Sequence, residues 1–252
     1  MPVRNFNEAG EIRENKLLAA LPPDAFERLL PHLEPTALPQ MKTLYDFDDT
    51  ITHLYFPNRN AVISTLCRAD EDVKVEVGLC GNEGAVGLSG LLGFAQSPYQ
   101  NLVQVPGTGT RLALEEAKSE FSRCGAFHDV LLNYTHSFLL QVSQTALCNR
   151  IHSDDERLAR WLLLSHDRIQ HRQLPLPREL LGKMLGRNFA GVSVAASTLQ
   201  RAGMITYNGA ELVILDREKL ESVACSCYWL IKRQASKSSI RDKFSDRRQA
   251  EA

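Results

Sequence analysis

The segment from Pro177 to Gly209 limits what this chain can fold into more strongly than any other stretch. Its first half carries apolar residues at helical spacing and then a glycine, Gly186, that ends the helix. A second apolar stripe at the same spacing follows. The two stripes consist of Leu180, Leu181, Met184 and Leu185, and of Val192, Ala195, Ala196 and Leu199. Two short amphipathic helices that meet at a tight turn containing glycine predict a helix-turn-helix.

Two strand-like runs follow the second helix on either side of Asn208-Gly209. The runs are Met204 to Tyr207 and Glu211 to Leu215, and Asn-Gly is the strongest two-residue signal for a hairpin. This hairpin would be a wing. Helix, turn, helix and hairpin follow one another in the order of a winged DNA-binding domain. The alternative is a small helical domain whose hairpin carries Asn-Gly without that function.

The distribution of charge along the chain also predicts that DNA would bind to the C-terminal part. Residues 153–252 contain 17 Lys and Arg against 12 Asp and Glu, a balance of +5, whereas residues 1–152 contain 12 against 18, a balance of −6. A polyanion would be attracted to the C-terminal part and repelled by the N-terminal part. Double-stranded DNA is therefore the expected partner.

The N-terminal part predicts an antiparallel β-roll. Lys16 to Leu21 and Pro23 to Leu33 have the pattern of short helices, and from Thr36 to Leu114 short strands alternate with polar turns. The predicted strands are Thr43 to Phe47, Thr52 to Phe56, Ala61 to Arg68, Val73 to Cys80, Gly84 to Leu88, Gln100 to Val105 and Thr110 to Leu114. Many evenly spaced strands of this kind are typical of a double-sheet roll or barrel.

A long helix from Gly125 to about Arg150 follows a brief one over Ala117 to Phe121. One apolar stripe of the long helix repeats at spacings of four, three and four, which predicts a coiled-coil seam and a homodimer. The predicted dimerisation residues are Phe127, Leu131, Tyr134, Phe138 and Val142. A second stripe, which would pack on the roll, consists of Val130, Leu132, Leu139, Leu140 and Leu147. The alternative is a monomer whose helix lies between its own domains.

Ile151-His152-Ser153 interrupts the helical pattern, and Ser153 followed by three acids predicts a new helix start and a hinge. After the wing, Asp216 is expected to cap a last helix from Arg217 to about Lys232. Residues 233–252 are polar and basic and are expected to be a disordered tail.

Six cysteines occur without a CxxC motif or a Cys/His spacing of the zinc type, which predicts reduced thiols and no metal site. Cys225 and Cys227, the only close pair, are interpreted as helix residues of which one faces the core and the other the solvent. The N-terminus lacks the apolar run of a signal peptide, and no stretch of about 18 apolar residues is present. These observations predict a cytoplasmic protein that does not enter the membrane.

Taken in this order, the roll, long helix, hinge and winged helix-turn-helix resemble the CRP/FNR family of bacterial transcription regulators over about residues 16 to 232. The sharpest match is LGRNFAGVSVAASTLQRAGMI, which looks like the turn, recognition helix and first wing strand of that family. GNEGAVGLSGLLG and QTALCNRIHSDDERLARWLL look like one of its subfamilies.

The resemblance implies an α+β protein with four regions. Residues 16–123 would be a jelly-roll-like sensor domain similar to cyclic-nucleotide-binding domains, and residues 124–152 the dimerisation helix with its hinge. Residues 153–232 would be the winged helix-turn-helix, and residues 233–252 the tail. The homodimer would bind an inverted-repeat operator with both recognition helices in successive major grooves, and RNA polymerase is a further candidate partner.

The recognition helix departs from the familiar pattern of the family. The best-known members begin it with an Arg-Glu pair and place a second Arg one turn later, whereas this chain has Phe189, Ala190 and Val194 there. None of these side chains can make the bidentate guanine contact of Arg. The expected DNA-binding residues are Arg178, for a phosphate, Arg187 and Asn188 at the turn, Phe189, Ser193 and Ser197 on the second helix, and Asn208 in the wing. Phe189 would contact a thymine methyl or, alternatively, pack against the first helix.

The residues that relatives use to bind cofactors can be compared with this sequence. Relatives that bind cAMP use a Gly-Glu pair for the ribose and an Arg-Ser or Arg-Thr pair for the phosphate, and the corresponding stretches, Glu83 to Gly87 and Tyr99 to Asn101, contain neither an Arg nor a properly placed Gly-Glu. Oxygen sensors of the family hold an iron–sulfur cluster with N-terminal cysteines, which residues 1–66 lack. His53, His128 and His136 occur singly, as surface or core histidines rather than haem ligands. We therefore expect no cofactor, neither cAMP nor an iron–sulfur cluster, and the effector is not identified.

The sequence does not predict an enzyme. Metal-dependent jelly-roll enzymes need His-x-His on one strand and further ligands, and His53 is the one histidine among the predicted strands. No GxSxG, P-loop or GxGxxG motif occurs. The remaining alternative to a transcription regulator is a dimeric interaction or signalling module with a weakened or non-specific DNA-binding domain.

Overall fold

The computed structural model describes residues 10–70, 73–169, 171–176, 181, 189–208 and 211–237 and confirms the α+β class. Two short helices, α1 (Lys16–Ala19) and α2 (Pro23–Leu29), lead through a single 3-10 turn (Leu30–His32) into the strands. Asn15 fixes this start. Its Oδ1 accepts from the backbone N–H of Leu17 and Leu18, and its Nδ2 donates to the carbonyls of Pro57 and Gly84. One fully buried side chain thus caps α1 and attaches it to the roll.

Seven strands form two antiparallel sheets of the roll. The strands are β1 (Leu33–Leu38), β2 (Thr43–Tyr45), β3 (His53–Pro57), β4 (Val62–Arg68), β5 (Lys74–Cys80), β6 (Gln100–Val105) and β7 (Gly107–Ala113). One sheet has the order β1-β7-β3 and the other β2-β6-β4-β5. Their inner faces share one core, to which Phe56, Ile63 and Leu112 contribute side chains with no exposed surface.

Two details of the roll differ from the sequence prediction. Residues 84–88 are not a strand, because only Val86 pairs there, in a single bridge with Tyr55. Gly87 beside it has φ 95°, a left-handed conformation that a turn needs and a strand excludes. Conversely β1, which pairs with β7 from Leu33↔Leu112 to Leu38↔Gly107, was not among the predicted strands.

The long helix lies along the edge of the roll. After α3 (Leu114–Phe121), α4 runs from Ala126 to Ile151. Phe138 packs where a Cβ on Gly78 would come within 2.8 Å of its ring. Gln141 donates from Nε2 to the carbonyl of Leu79 (3.0 Å) and accepts from its N–H (3.3 Å). Because β5 is an edge strand, this amide satisfies backbone groups that the sheet leaves unpaired.

This arrangement corrects the predicted seam. Phe127, Leu131 and Tyr134 are at most 7% exposed and belong to the core of the roll, and Phe138 packs against that core. Val142 is half-buried. Side chains buried within their own domain cannot also form a seam with a second helix. The exposed apolar residues of α4 come instead from the second predicted stripe and from the end of the helix. They are Leu132, Leu139 and Leu147 of that stripe, and Ile151 at the end.

The C-terminal part begins at the predicted hinge. Ser153 caps α5 (Asp154–His166) in a complete capping box with Glu156. The elements that follow are β8 (Gln173–Pro175), α6 (Phe189–Arg201), β9 (Ile205–Asn208), β10 (Glu211–Ile214), α7 (Arg217–Val223) and α8 (Ser226–Lys237). Asp216 caps α7 as predicted. The predicted last helix is in fact two helices, and α8 continues to Lys237, past the expected start of a disordered tail at 233.

The roll and the C-terminal part share a core. The outer face of the four-stranded sheet contributes Val62, Leu66 and Leu79 to the cluster that contains Trp161 and Leu158 of α5. The sheet is therefore buried on both faces, which explains why the first five residues of β4 are all buried.

A buried carboxyl lies in this shared core. Glu76 of β5 accepts from Trp161 Nε1 at 2.7 Å, and its other oxygen lies 2.7 Å from Ser64 Oγ. Ser64 Oγ is also 2.7 Å from Gln104 Oε1, and one hydroxyl hydrogen can be donated to only one of these acceptors. A neutral Glu76 would donate to Ser64 and allow Ser64 to donate to Gln104. Burial raises the pKa of Glu76 from its ordinary value of 4.5 to about 7.

This pKa predicts a pH dependence of stability. Between about pH 4.5 and pH 7 the folded protein keeps the proton of Glu76 and the unfolded chain loses it, so the free energy of unfolding falls as the pH rises through this window. The loss is on the order of 3 kcal/mol. Glu76→Gln, which keeps an acceptor for Trp161, should remove this component in urea unfolding measured at several pH values. An unchanged pH slope in the variant would contradict the assignment, and Glu76→Ala should be destabilised throughout.

Candidate nucleic-acid interface

Helix α6 has one face in the core and one face open to solvent. Its buried face consists of Val192, Ala195, Ala196 and Leu199, each at most 6% exposed, as the predicted apolar stripe requires. Leu181, the one described residue of the preceding helix, is helical and 2% exposed in the same core. Leu181 of the first predicted stripe and all four residues of the second thus belong to one core, whereas Leu180, Met184 and Leu185 lie outside the described residues.

The open face of α6 forms a shallow groove lined by Ser193, Val194, Ser197 and Arg201. Val194 is 65% exposed, so its methyl groups are presented to solvent on this face. The hydroxyl of Ser197 donates to the carbonyl of Ser193 at 2.7 Å, and Thr198 donates to Val194 at 3.1 Å. Their oxygens keep acceptor capacity, so this face combines acceptors, one methyl-bearing side chain and a cation at the end.

Arg217 of α7 connects the helices of the C-terminal part that support α6. Its guanidinium donates to Asp167 Oδ1 at 2.6 Å, to the hydroxyl of Tyr228 at 2.7 Å and to Glu221 Oε1 at 2.9 Å. It also lies 2.5 Å from His166 Nδ1. Burial, together with the charge of Arg217, lowers the pKa of His166, so the neutral ring accepts from the guanidinium. One side chain thereby links the end of α5 to α7 and α8.

The wing is a three-stranded sheet in the order β8-β10-β9. Strand β10 pairs with β9 from Glu211↔Asn208 to Ile214↔Ile205 and with β8 from Glu211↔Pro175 to Val213↔Gln173. The hairpin of the sequence prediction is present in these two strands. The third strand, β8, was not predicted, because three residues ahead of a proline pattern give no strand signal of their own.

The predicted DNA-binding residues are placed as follows. Ser193 and Ser197 lie together on the open face of α6, Phe189 begins that helix, and Asn208 ends β9. Arg178, Arg187 and Asn188 lie outside the described residues. Two residues of the groove were not among those expected to bind DNA: Val194, set aside because it cannot read guanine, and Arg201, whose position in the last turn of a 13-residue helix could have identified it.

The stretch that binds cyclic nucleotides in relatives has other contacts here. Glu83 Oε1 accepts from Arg168 Nε at 2.8 Å, and Arg168 also donates to the carbonyls of Leu164 and Leu79. Asn101 Nδ2 donates to Thr65 within the sheet at 3.1 Å. Tyr134 of α4 packs where a Cβ on Gly84 would be 2.3 Å from its hydroxyl. The polar side chains Glu83 and Asn101 are therefore used for internal contacts, and one of them connects the roll to the residues after α5.

Comparisons with known proteins agree with this geometry. The family model for the Crp-like helix-turn-helix domain matches residues 156–223, which include most of α5 and all of α6, the wing and α7. No curated protein is significantly similar to the chain in sequence. Among the described residues, no helix is both long enough and apolar enough to cross a membrane.

Solved structures are similar over most of the chain. A crp/fnr-family transcriptional regulator from Eubacterium rectale is 14% identical with a TM-score of 0.66, covering 84% of this chain and 98% of its own. FixK2 from Bradyrhizobium japonicum is 17% identical with a TM-score of 0.64, covering 77% and 98%. The c-di-GMP responsive global regulator CLP from Xanthomonas campestris is 19% identical with a TM-score of 0.61, covering 77% and 99%.

Such low identities establish the shape of the molecule, and the family model establishes its C-terminal domain. Residues 156–223 match the Crp-like helix-turn-helix domain, and the fold of the chain is similar to that of a CRP/FNR-family transcriptional regulator.

Proposed function

We propose that this protein is a cytoplasmic, DNA-binding transcription regulator that binds an inverted-repeat operator as a homodimer. The observation that carries the proposal is the open face of α6, which lies within the matched Crp-like domain and beside a wing. A helix presented in this way fits the major groove, and a two-fold pair of such helices requires an operator of the same symmetry.

The side chains of the open face would recognise bases through contacts other than those that arginine makes. Ser193 and Ser197 can contact several bases, and the methyl groups of Val194 suit the methyl group of thymine. None of the three makes a bidentate contact to guanine. We infer that phosphate contacts, with Arg201, Arg178 and Arg187 as candidates, and the shape of the DNA supply much of the affinity.

The exposed stripe of α4 supports the homodimer. Leu139 is 62% exposed and Leu147 49%, while the other side of the same helix is covered by the roll. Leu132 and Ile151 continue the stripe toward both ends of the helix. An apolar stripe along a helix of 26 residues is the geometry that two helices need for a coiled-coil contact.

The proposal includes no cAMP and no iron–sulfur cluster in the roll. Glu83 pairs with Arg168 rather than facing a ribose, and the phosphate-binding Arg of the cAMP-binding relatives has no counterpart in residues 99–101. A buried phosphate would lack the donor that neutralises it. The second candidate function, an interaction module with weakened DNA binding, rests on the missing arginines of α6.

DNA binding can be tested with a charge placed on the open face. Val194→Glu should weaken binding to every sequence selected from a genomic DNA pool, because the new carboxylate approaches phosphates and bases. Leu92→Glu adds the same charge at a roll residue that is 51% exposed and should leave binding unchanged. Gel retardation and circular dichroism measure the two effects. Parent protein that retards no DNA at any salt concentration would favour the interaction module.

The contribution of phosphates predicts a salt dependence. Arg187→Ala and Arg178→Ala should each weaken binding and lower the slope of log affinity against log salt by about one. Fluorescence anisotropy at several salt concentrations gives this slope. A variant that loses affinity with an unchanged slope would show that its arginine does not contact a phosphate.

The oligomeric state tests the exposed stripe. Leu139→Asp should convert a dimer to a folded monomer in light scattering, since a carboxylate cannot be buried unpaired at a helix contact. Phe94→Asp, at a residue of the roll that is 65% exposed, is the matched control and should stay dimeric. Leu131→Asp should instead unfold the roll, because Leu131 is 1% exposed. A dimer that survives Leu139→Asp would exclude the stripe as its interface.

A further inference from the structure

Four potential metal ligands meet where the long helix ends. Cys148 and His152 lie one turn apart at the end of α4, Cys225 lies between α7 and α8, and Cys227 is in the first turn of α8. One ligand atom from each of these residues lies within 4.8 Å of all the others. The sequence prediction of no metal site rested on spacing along the chain, and the fold brings together two pairs that are more than 70 residues apart.

The thiols are turned inward. Cys148, Cys225 and Cys227 are at most 3% exposed and form a cluster of their own, apart from the two large cores. This corrects the interpretation that one member of the Cys225 and Cys227 pair faces the solvent. The Sγ atoms of Cys148 and Cys225 are 3.5 Å apart, and Cys227 Sγ is 3.5 Å from His152 Nδ1. His152 is half-buried, so the imidazole is the one of the four side chains that has appreciable contact with solvent.

These distances match one ion better than a cluster of metals. With zinc–sulfur bonds of about 2.3 Å, sulfurs at the corners of a tetrahedron are about 3.8 Å apart. The 3.5 Å between Cys148 Sγ and Cys225 Sγ is close to this value, and all four ligand atoms lie within 4.8 Å of one another. An iron–sulfur cluster places several irons and sulfides between its thiolates and requires ligands that are farther apart than these. Three thiolates and one imidazole are a donor set that structural zinc prefers.

The residues around the four ligands suit the net charge that a bound zinc ion would leave. Three thiolates and a neutral imidazole around a divalent cation leave one net negative charge, and the guanidinium of Arg160, 4% exposed, lies near enough to act on it. Gln144 Nε2 donates to Cys227 Sγ at 3.1 Å, as an outer partner of a metal ligand does.

We propose that Cys148, His152, Cys225 and Cys227 bind a single zinc ion. The ion joins the last turn of α4 to the start of α8 on either side of the hinge at Ser153. It therefore fixes the orientation of the DNA-binding part against the long helix, and its presence is independent of whether the protein binds DNA.

Metal content tests the site directly. Full-length protein purified under reducing conditions without chelator should contain about one zinc ion per chain by mass spectrometry of the metal. Cys227→Ser should lose most of this zinc, whereas Cys67→Ser, at a half-buried thiol in β4, should retain it. Gln144→Leu should weaken the affinity about 10- to 100-fold without abolishing binding. Titration of the metal-free protein with Co²⁺ should give the visible absorption bands of a tetrahedral thiolate site in the parent and not in Cys227→Ser.

Stability gives a second readout. A chelator should lower the thermal unfolding midpoint of the parent and of Cys67→Ser, because the bound ion stabilises only the folded chain. It should have no effect on Cys227→Ser. Three results would overturn the proposal: reduced parent protein without zinc and without a Co²⁺ spectrum, zinc content unaffected by Cys227→Ser, or several irons with sulfide per chain. DNA binding of the parent can be measured separately, so failure here is distinguishable from failure of the proposed function.

Discussion

Burial of α4 is the constraint on which the rest of the structure depends. This helix has apolar residues on more than one side and must be covered on each of them. The roll covers one side through Phe127, Leu131 and Tyr134, and the close approach there requires Gly78 and Gly84, where any side chain would collide with Phe138 or Tyr134. Gln141 adds the edge of β5 to the same contact. The side that remains open is consequently the one available to a second copy.

The C-terminal part is attached to the roll by contacts of different kinds. The shared core around Trp161 is apolar but contains Glu76, and the pair Glu83–Arg168 joins the loop after β5 to the residues after α5. The four ligands around Cys148 form a third attachment at the end of α4. These contacts connect the roll to α5, whose C-terminal end is joined to α7 and α8 by the Arg217 network.

Prediction from sequence succeeded where local physical rules decide the structure. Ser153 and Asp216 cap helices as their side chains require, the stripe of α6 faces the core, and the two predicted wing strands pair, with Asn208 as the last residue of β9. It failed where the structure depends on packing between elements that are far apart in the sequence. Periodicity identified two stripes on α4 but assigned them to the wrong neighbours, because both stripes are apolar and only packing against β5 distinguishes them.

The sequence by itself determined the element types, their order and the face of α6 that enters the core, since these follow from caps, turns and the periods of helix and strand. Tertiary structure decided which side of α4 stays open, that a buried Glu76 accepts from Trp161, and that Cys148 and His152 meet Cys225 and Cys227. The physical reason is the same in each case. These contacts join residues far apart in the chain, and no local sequence pattern predicts which distant group will cover a given side chain.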